Sequence, residues 1–250
     1  MFPNKSLFNH NNEMKTTKIS VLALCALLLL PGCASMSNTA KGGLIGGGSG
    51  AAAGALIGAL IGNGKGAAIG AGIGAAVGTG AGVLIGNKMD KAKRAAEAIQ
   101  GAEAELMKDA EGLSYVKVTF DSGILFSSGN ASLTAAAKNS LGSFKANVLT
   151  SDMDLAIVGY TDNDPWKGCT AEQSKQKNLV LSEQRAQSVS SYLLTAGASS
   201  SQIKYVVGKG EENPVASNAT AAGKAENRRV EVYILPSRQM IESANAGTLK

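Results

Sequence analysis

The chain has 250 residues, of which 44% are hydrophobic and 17% charged, and its formal net charge is +5. Its only histidine is His10, and its three cysteines form no Cys-x-x-Cys pair. Histidine-based catalysis, zinc sites and thioredoxin-like redox chemistry are therefore excluded beyond the N-terminal segment. We expect no metal and no cofactor. The mild, evenly spread positive charge gives no indication of nucleic-acid binding.

The first 32 residues have the layout of a secretory signal peptide, with Met14 as the predicted start. A basic stretch precedes the uncharged, Leu- and Ala-rich residues 19–30, a run too short to span a bilayer. It ends in Leu30-Pro31-Gly32-Cys33, which resembles the lipobox of bacterial lipoproteins. The resemblance implies that Cys33 is acylated, becomes the new N-terminus and begins a tether over residues 33–41. The absence of an aspartate after this cysteine implies sorting to the outer membrane.

Residues 42–87 carry a glycine at every fourth position from Gly42 to Gly86, with Ala, Leu, Ile and Val between them. In lipid a segment must satisfy its backbone groups as a helix, and small residues one turn apart let two helices approach closely. Residues 62–66 have the composition of a turn and divide the run into two stretches of about 20 residues. We predict a membrane-inserted helical hairpin that can form homo-oligomers. The alternative is a self-associating segment outside the bilayer.

The composition changes after the glycine-rich run. Residues 88–113 are charged and Ala-rich, and we predict a solvated connector helix. Residues 114–236 then show the periodicities of strands and helices, and residues 237–250 are predicted to be a tail. The predicted strands are 116–120, 155–159, 203–207 and 230–234, and the predicted helices are 133–148 and 179–196. This order predicts an α+β fold, a mixed sheet with helices on one face.

Four ordered motifs in residues 114–236 carry a family resemblance. They are Gly159-Tyr160-Thr161-Asp162, Asn178-x-x-Leu181-Ser182-x-x-Arg185-Ala186, Gly208-x-Gly210 and Asn227-Arg228-Arg229-Val230. Together they resemble the OmpA-like C-terminal domain also found in Pal and MotB. The resemblance implies a β-α-β-α-β fold with a final strand, and non-covalent peptidoglycan binding rather than catalysis. With the lipobox and the glycine-rich run in front, the whole order is similar to OmpA-family lipoproteins of the YiaD type.

The resemblance also implies a binding site. In the family, the Asp of the first motif and the Arg of the second motif hold the diaminopimelate side group of the stem peptide. These two residues correspond to Asp162 and Arg185 in this chain. The chemistry agrees, because a carboxylate accepts from an ammonium and a guanidinium grips a carboxylate. Asn178 and Ser182 are expected near the start of the second helix, as caps beside an anion. The other predicted binding residues are Thr161 and Arg229. Arg229 is expected first to support the structure of the site and second to contact the ligand.

These features predict an outer-membrane lipoprotein that binds peptidoglycan and tethers the membrane to the cell wall, with its C-terminal domain facing the periplasm. The alternative is a membrane-assembly or pore-forming protein driven by the glycine-rich run, with the C-terminal domain only locating the wall. An enzyme of wall turnover is the weakest hypothesis. The interval between Asp162 and Arg185 exceeds the family pattern, so residues 163–176 are predicted to form a longer loop beside the pocket.

Overall fold

The computed structural model describes residues 79–109 and 112–249. The predicted signal peptide, Cys33 and the predicted hairpin up to residue 78 lie outside the described residues. In chain order, the described elements are α1 (Thr79–Glu97), β1 (Ala102–Lys108), β2 (Ser114–Asp121), α2 (Ser122–Leu125), α3 (Ala135–Asn147), β3 (Met153–Gly159), α4 (Ala171–Thr195), β4 (Ile203–Gly208), α5 (Ala221–Asn227), β5 (Arg229–Pro236) and α6 (Arg238–Asn245).

The five strands form one sheet in the order β1-β2-β5-β3-β4. β5 pairs antiparallel with both β2 and β3, β1 pairs antiparallel with β2, and β4 runs parallel to β3. A parallel pair needs a crossover connection, and α4 supplies it. Alternate residues of β5 (Val230, Val232 and Ile234) are fully buried in the main core. The predicted α+β fold with a mixed sheet is confirmed.

Residues 88–113 are not a connector helix. α1 begins inside the glycine-rich run, continues past Gly86 and ends at Glu97. Its buried stripe is spaced at three or four residues, which is the spacing of one helix face; the stripe consists of Ile85, Met89, Ala92 and Ala96. This stripe packs against β1 and β2. α1 is therefore part of the folded domain, which begins well before residue 114.

Residues 102–108 form the edge strand β1 rather than a helix. Their sequence, Ala-Glu-Ala-Glu-Leu-Met-Lys, consists of good helix formers, which explains the helix prediction. Gly101 has a φ of +77° and separates this segment from α1. All seven residues then pair in register with β2, and Ala104 is the buried one. Pairing with a strongly apolar neighbour outweighs the local helix propensity.

The C-terminal segment is not a plain tail. Ser237 caps α6 by accepting from the N–H of Met240, and α6 buries Met240 and Ile241 against α1. The two helices at the ends of the described chain therefore close the same side of the core. In residues 79–109 and 112–249, no helix combines the length and the apolar character needed to cross a bilayer.

Helix α4 begins eight residues before the predicted start at Leu179. Thr170 caps it in a reciprocal arrangement with Gln173: each side chain bonds the other residue's backbone N–H. The Thr-x-x-Gln spacing is a sequence signal for a helix start. The polar composition of the next residues obscured this signal. Residues 171–176, predicted as loop, are therefore the first turns of α4, and the loop after Asp162 is correspondingly shorter.

Candidate functional site

Two strand ends bring residues from distant parts of the chain together. β3 ends where β5 begins, because Gly159 pairs with Val230, and β2 ends beside the same point. The segment that follows β3 therefore meets the residue that precedes β5. Asp162 and Arg228 come into contact there, although 66 positions separate them in sequence.

Asp162 is 6% exposed, and both of its carboxylate oxygens are engaged. Oδ2 accepts a hydrogen bond from Nη1 of Arg228 at 2.5 Å, and Oδ1 accepts from the backbone N–H of Asp164 at 3.1 Å. The side chain of Arg228 is 37% exposed, so one end of the ion pair reaches solvent. A ligand cation must therefore share Asp162 with Arg228 or replace Arg228.

Arg185 is 3% exposed and has no acidic hydrogen-bond or ion-pair partner in the described part of the chain. Its Nε donates to the carbonyl of Asn130 at 3.0 Å, and the guanidinium carbon lies 5.2 Å from the ring centroid of Phe126. Burial, followed by the charge of Arg228, lowers the pKa of Arg185, whereas Asp162 raises it. The guanidinium remains charged at physiological pH. A buried, unpaired cation is costly, so the site favours an incoming anion.

A cleft of about 650 Å³ is lined by these three charged side chains. It is also lined by Ser122 and Thr161, whose hydroxyl oxygens are buried and have no hydrogen-bond partner among the described residues. Buried polar groups are normally satisfied, so these two hydroxyls are unsatisfied polar groups in the wall of the cleft. Thr161 was predicted from sequence and Ser122 was not.

Asn178 positions the loop that follows Asp162. Its Nδ2 donates to the carbonyl of Asp164 at 3.2 Å, and its Oδ1 accepts from Nε1 of Trp166 at 2.7 Å. Asp164 also pairs with Lys224 of α5 at 2.6 Å. Asn178 lines the cleft, as predicted, but its polar atoms bond the protein. It therefore shapes the wall of the cleft.

Ser182 does not lie in the cleft. It is fully buried, donates to the carbonyl of Leu179 at 2.7 Å and accepts from the N–H of Gly210 at 2.8 Å. The hydroxyl thus attaches α4 to the turn after β4. Neither Ser182 nor Asn178 caps a helix, because α4 begins earlier and Thr170 is its cap.

Arg229 lies on the opposite face of the sheet from the cleft. Its Nε donates to Glu231 at 2.8 Å, and its guanidinium carbon lies 3.8 Å from the ring centroid of Tyr160. Glu231 also accepts from the hydroxyl of Tyr233 at 2.6 Å, and burial followed by this carboxylate raises the pKa of Tyr233. Successive strand residues point to opposite faces, so Arg228 and Arg229 cannot both reach the cleft. The structure places Arg228 there.

The cleft has the charges needed for a zwitterion. The cleft is lined by three positive side chains (Lys167, Arg185 and Arg228) and two carboxylates (Asp162 and Asp164), so its net charge is positive. Asp162 is paired with Arg228, the more exposed of the two guanidinium groups. A ligand carboxylate can bind Arg185, and an adjacent ammonium can reach Asp162. Within residues 79–109 and 112–249, no three His, Cys, Asp or Glu side chains are grouped so as to hold a metal.

Two protein families match different parts of the chain. Residues 125–228 match the OmpA family, and residues 14–90 match the YMGG-like Gly-zipper family. The chain is similar to "Probable lipoprotein YiaD" of Escherichia coli K12, with 41% identity over 115 residues that cover 45% of this chain and 48% of that protein. It is also similar to "Peptidoglycan-binding protein ArfA" of Mycobacterium tuberculosis H37Rv, with 43% identity over 83 residues that cover 33% and 23%. The matched region thus spans less than half of either relative.

The fold is also found in a solved structure. A MotB-like protein from Desulfovibrio vulgaris matches with a TM-score of 0.50 and 22% identity, covering 60% of this chain and 92% of that one. This likeness supports the fold assignment. The chain therefore carries a C-terminal domain of the OmpA family, preceded by a segment of the YMGG-like glycine-zipper family.

Proposed function

We propose that the protein binds peptidoglycan non-covalently and that the cleft takes the zwitterionic end of diaminopimelate in the stem peptide. The observation that carries the proposal is Arg185, a buried guanidinium that lines an open cleft without an acidic partner in the described structure. The buried carboxylate of Asp162 lines the same cleft. The name of the mycobacterial relative, a peptidoglycan-binding protein, supports the same ligand.

Each cleft residue has a role in this proposal. The ligand carboxylate accepts from the free nitrogens of Arg185, whose Nε is already used by Asn130. The ligand ammonium donates to Asp162, whose carboxylate it shares with Arg228. Ser122 and Thr161 form part of the cleft wall beside the ligand. The protein acts here as a binding protein rather than an enzyme.

The N-terminal part supplies the other attachment. In this proposal Cys33 is lipidated and anchors the chain in the outer membrane, and the OmpA-family domain faces the periplasm and holds the wall. The lipobox residues support the anchor, and so does the E. coli relative, which is named as a lipoprotein. A single acyl chain binds a membrane only weakly, whereas two or more chains on the same residue anchor a protein stably. The protein then links the outer membrane to peptidoglycan.

Asp162→Asn tests the proposal. It preserves the shape of the side chain and removes its charge, so we expect the affinity of the full-length protein for purified sacculi to fall about tenfold. The measurement is co-sedimentation at several protein concentrations. Asp90→Asn is the matched control, because Asp90 pairs with Arg94 on the surface of α1. Equal affinities for Asp162→Asn, the control and the wild type would contradict the proposed site.

A further inference from the structure

Two further depressions adjoin the cleft along α4, on the far side of Trp166. Trp166 and Leu181 line both the cleft and a neighbouring depression of about 320 Å³, which is also lined by Lys177, Val180 and Gln184. Gln184 in turn lines a third depression of about 450 Å³. The cleft and the two depressions are therefore neighbours in a row along α4, and we call the two depressions beyond Trp166 the α4 track.

The α4 track follows one face of the helix. Lys177, Val180, Gln184 and Ser188 are spaced by three or four residues and therefore lie in a row. At 1.5 Å per residue, this row is about 16 Å long, enough for two pyranose rings end to end. The turn at residues 129–132 forms the opposite wall. The track is therefore an elongated site that begins at the cleft.

The number of charged lining residues falls from the cleft to the far end of the α4 track. The cleft is lined by Asp162, Asp164, Lys167, Arg185 and Arg228. The middle depression is lined by one charged residue, Lys177, and the far one has only amide, hydroxyl and small side chains, namely those of Asn130, Ser132, Gln184, Gln187 and Ser188 together with Gly129 and Ala131. Such groups donate and accept without charge, so the far end suits a neutral ligand rich in hydroxyl and acetamido groups.

Trp166 stands between the two parts as a fixed aromatic wall. Its Nε1 donates to Asn178, and its backbone N–H donates to Oγ of Ser174 at 3.0 Å. Lys177 holds the ring through a cation–π contact at 5.4 Å. A side chain fixed before binding loses little conformational entropy when a ligand packs against it. The C–H bonds of a sugar ring carry slight positive charge and pack well against an aromatic surface.

We propose that the α4 track binds the N-acetylated sugars of peptidoglycan while the cleft holds the stem peptide. This inference rests on the proposed function, because the sugars are covalently attached to the peptide that the cleft binds. A ring packs on Trp166 and Val180, and its acetamido and hydroxyl groups bond Gln184 and the polar residues beyond it. The loop after Asp162, which carries Trp166, thereby adds a glycan subsite to the peptide site.

The test compares two ligands on the full-length protein in detergent. One is the tripeptide L-Ala-γ-D-Glu-meso-diaminopimelate, and the other is the same tripeptide joined to the N-acetylglucosamine–N-acetylmuramic acid disaccharide. Isothermal titration calorimetry gives the affinity ratio. We expect the wild type to bind the disaccharide form about tenfold more tightly. Val180→Glu places a charge in the track at a residue that is 42% exposed, and should reduce the ratio to about one.

Leu194→Glu is the matched control, since Leu194 lies on the same helix, is 39% exposed and does not line the track. It should keep the wild-type ratio, and all three proteins should bind the tripeptide equally. A wild-type ratio of one with normal tripeptide binding would overturn the glycan subsite alone. An unchanged ratio in Val180→Glu would do the same. Failure of the wild type to bind the tripeptide would overturn the proposed function, and the subsite with it.

Discussion

Arg185→Ala is expected to weaken binding to peptidoglycan about 100-fold, because it removes the charge-assisted, two-pronged contact with the ligand carboxylate. The remaining guanidinium, Arg228, is already paired with Asp162 and cannot replace it without breaking that pair. We expect no loss of folding stability from a broken ion pair, since Arg185 has no acidic partner in the described part of the chain. The measurement is the affinity of the full-length protein for sacculi.

Arg238→Ala provides the control for this experiment. It makes the same change of residue and charge, but Arg238 lies on the surface of α6 in an exposed pair with Glu242. We expect wild-type affinity, since exposed pairs of this kind contribute little. Equal losses in Arg185→Ala and Arg238→Ala would show that net charge, rather than the cleft, determines binding. Thermal unfolding of both variants confirms that each is folded.

Gly159→Ala is expected to destabilise the domain by about 3 kcal/mol, because the helix that carries Arg185 packs directly on this residue. A β-carbon at Gly159 would lie 2.1 Å from the backbone carbonyl oxygen of Ser182. The backbone of α4 cannot yield at one residue, so the helix must shift away from the sheet. Gly208 on β4 is equally tight, with a β-carbon 2.4 Å from the backbone nitrogen of Glu183. The shift moves Arg185, so peptidoglycan affinity should also fall.

Gly142→Ala separates this steric effect from the general effect of replacing glycine. Gly142 lies within α3, and an added β-carbon would meet only the hydroxyl of Tyr192 at 3.6 Å, an ordinary contact. In a helix interior, alanine is favoured over glycine by about 1 kcal/mol. Denaturant unfolding should therefore show Gly142→Ala as neutral or stabilised. A Gly159→Ala protein as stable as the wild type would contradict the close packing of α4 on the sheet.

The sequence predicted the strands and helices that bury a clear apolar pattern. β2, β3, β5 and α3 lie within a few residues of their predicted bounds. β2 and β5 alternate, α3 repeats with the period of a helix, and β3 is a short apolar run. β1 was missed because good helix formers occupy an exposed edge strand, where pairing with β2 decides the structure. The start of α4 was missed although the Thr170–Gln173 spacing marks it.

Asp162 and Arg185 were identified through the family motifs, and the structure brings both to one cleft. Arg229 was predicted to support the site first and to contact the ligand second; it packs on the opposite face of the sheet, and its neighbour Arg228 lines the cleft. The alternation of Val230, Val232 and Ile234 already puts Arg229 on the other face of β5, so this difference between the two arginines could have been read from the strand pattern. Trp166 belongs to the loop predicted beside the pocket, although it was not singled out as a binding residue. Ser122 was not predicted, because it reaches the cleft only through the packing of a separate segment.

The most direct test of the account is the affinity of the full-length protein for two tripeptides that differ in one group. L-Ala-γ-D-Glu-meso-diaminopimelate carries the carboxylate assigned to Arg185, and the tripeptide with L-lysine at the third position lacks it. We expect the lysine tripeptide to bind about 30-fold more weakly, because its binding leaves Arg185 buried without an anion. Equal affinity for the two tripeptides would contradict the account.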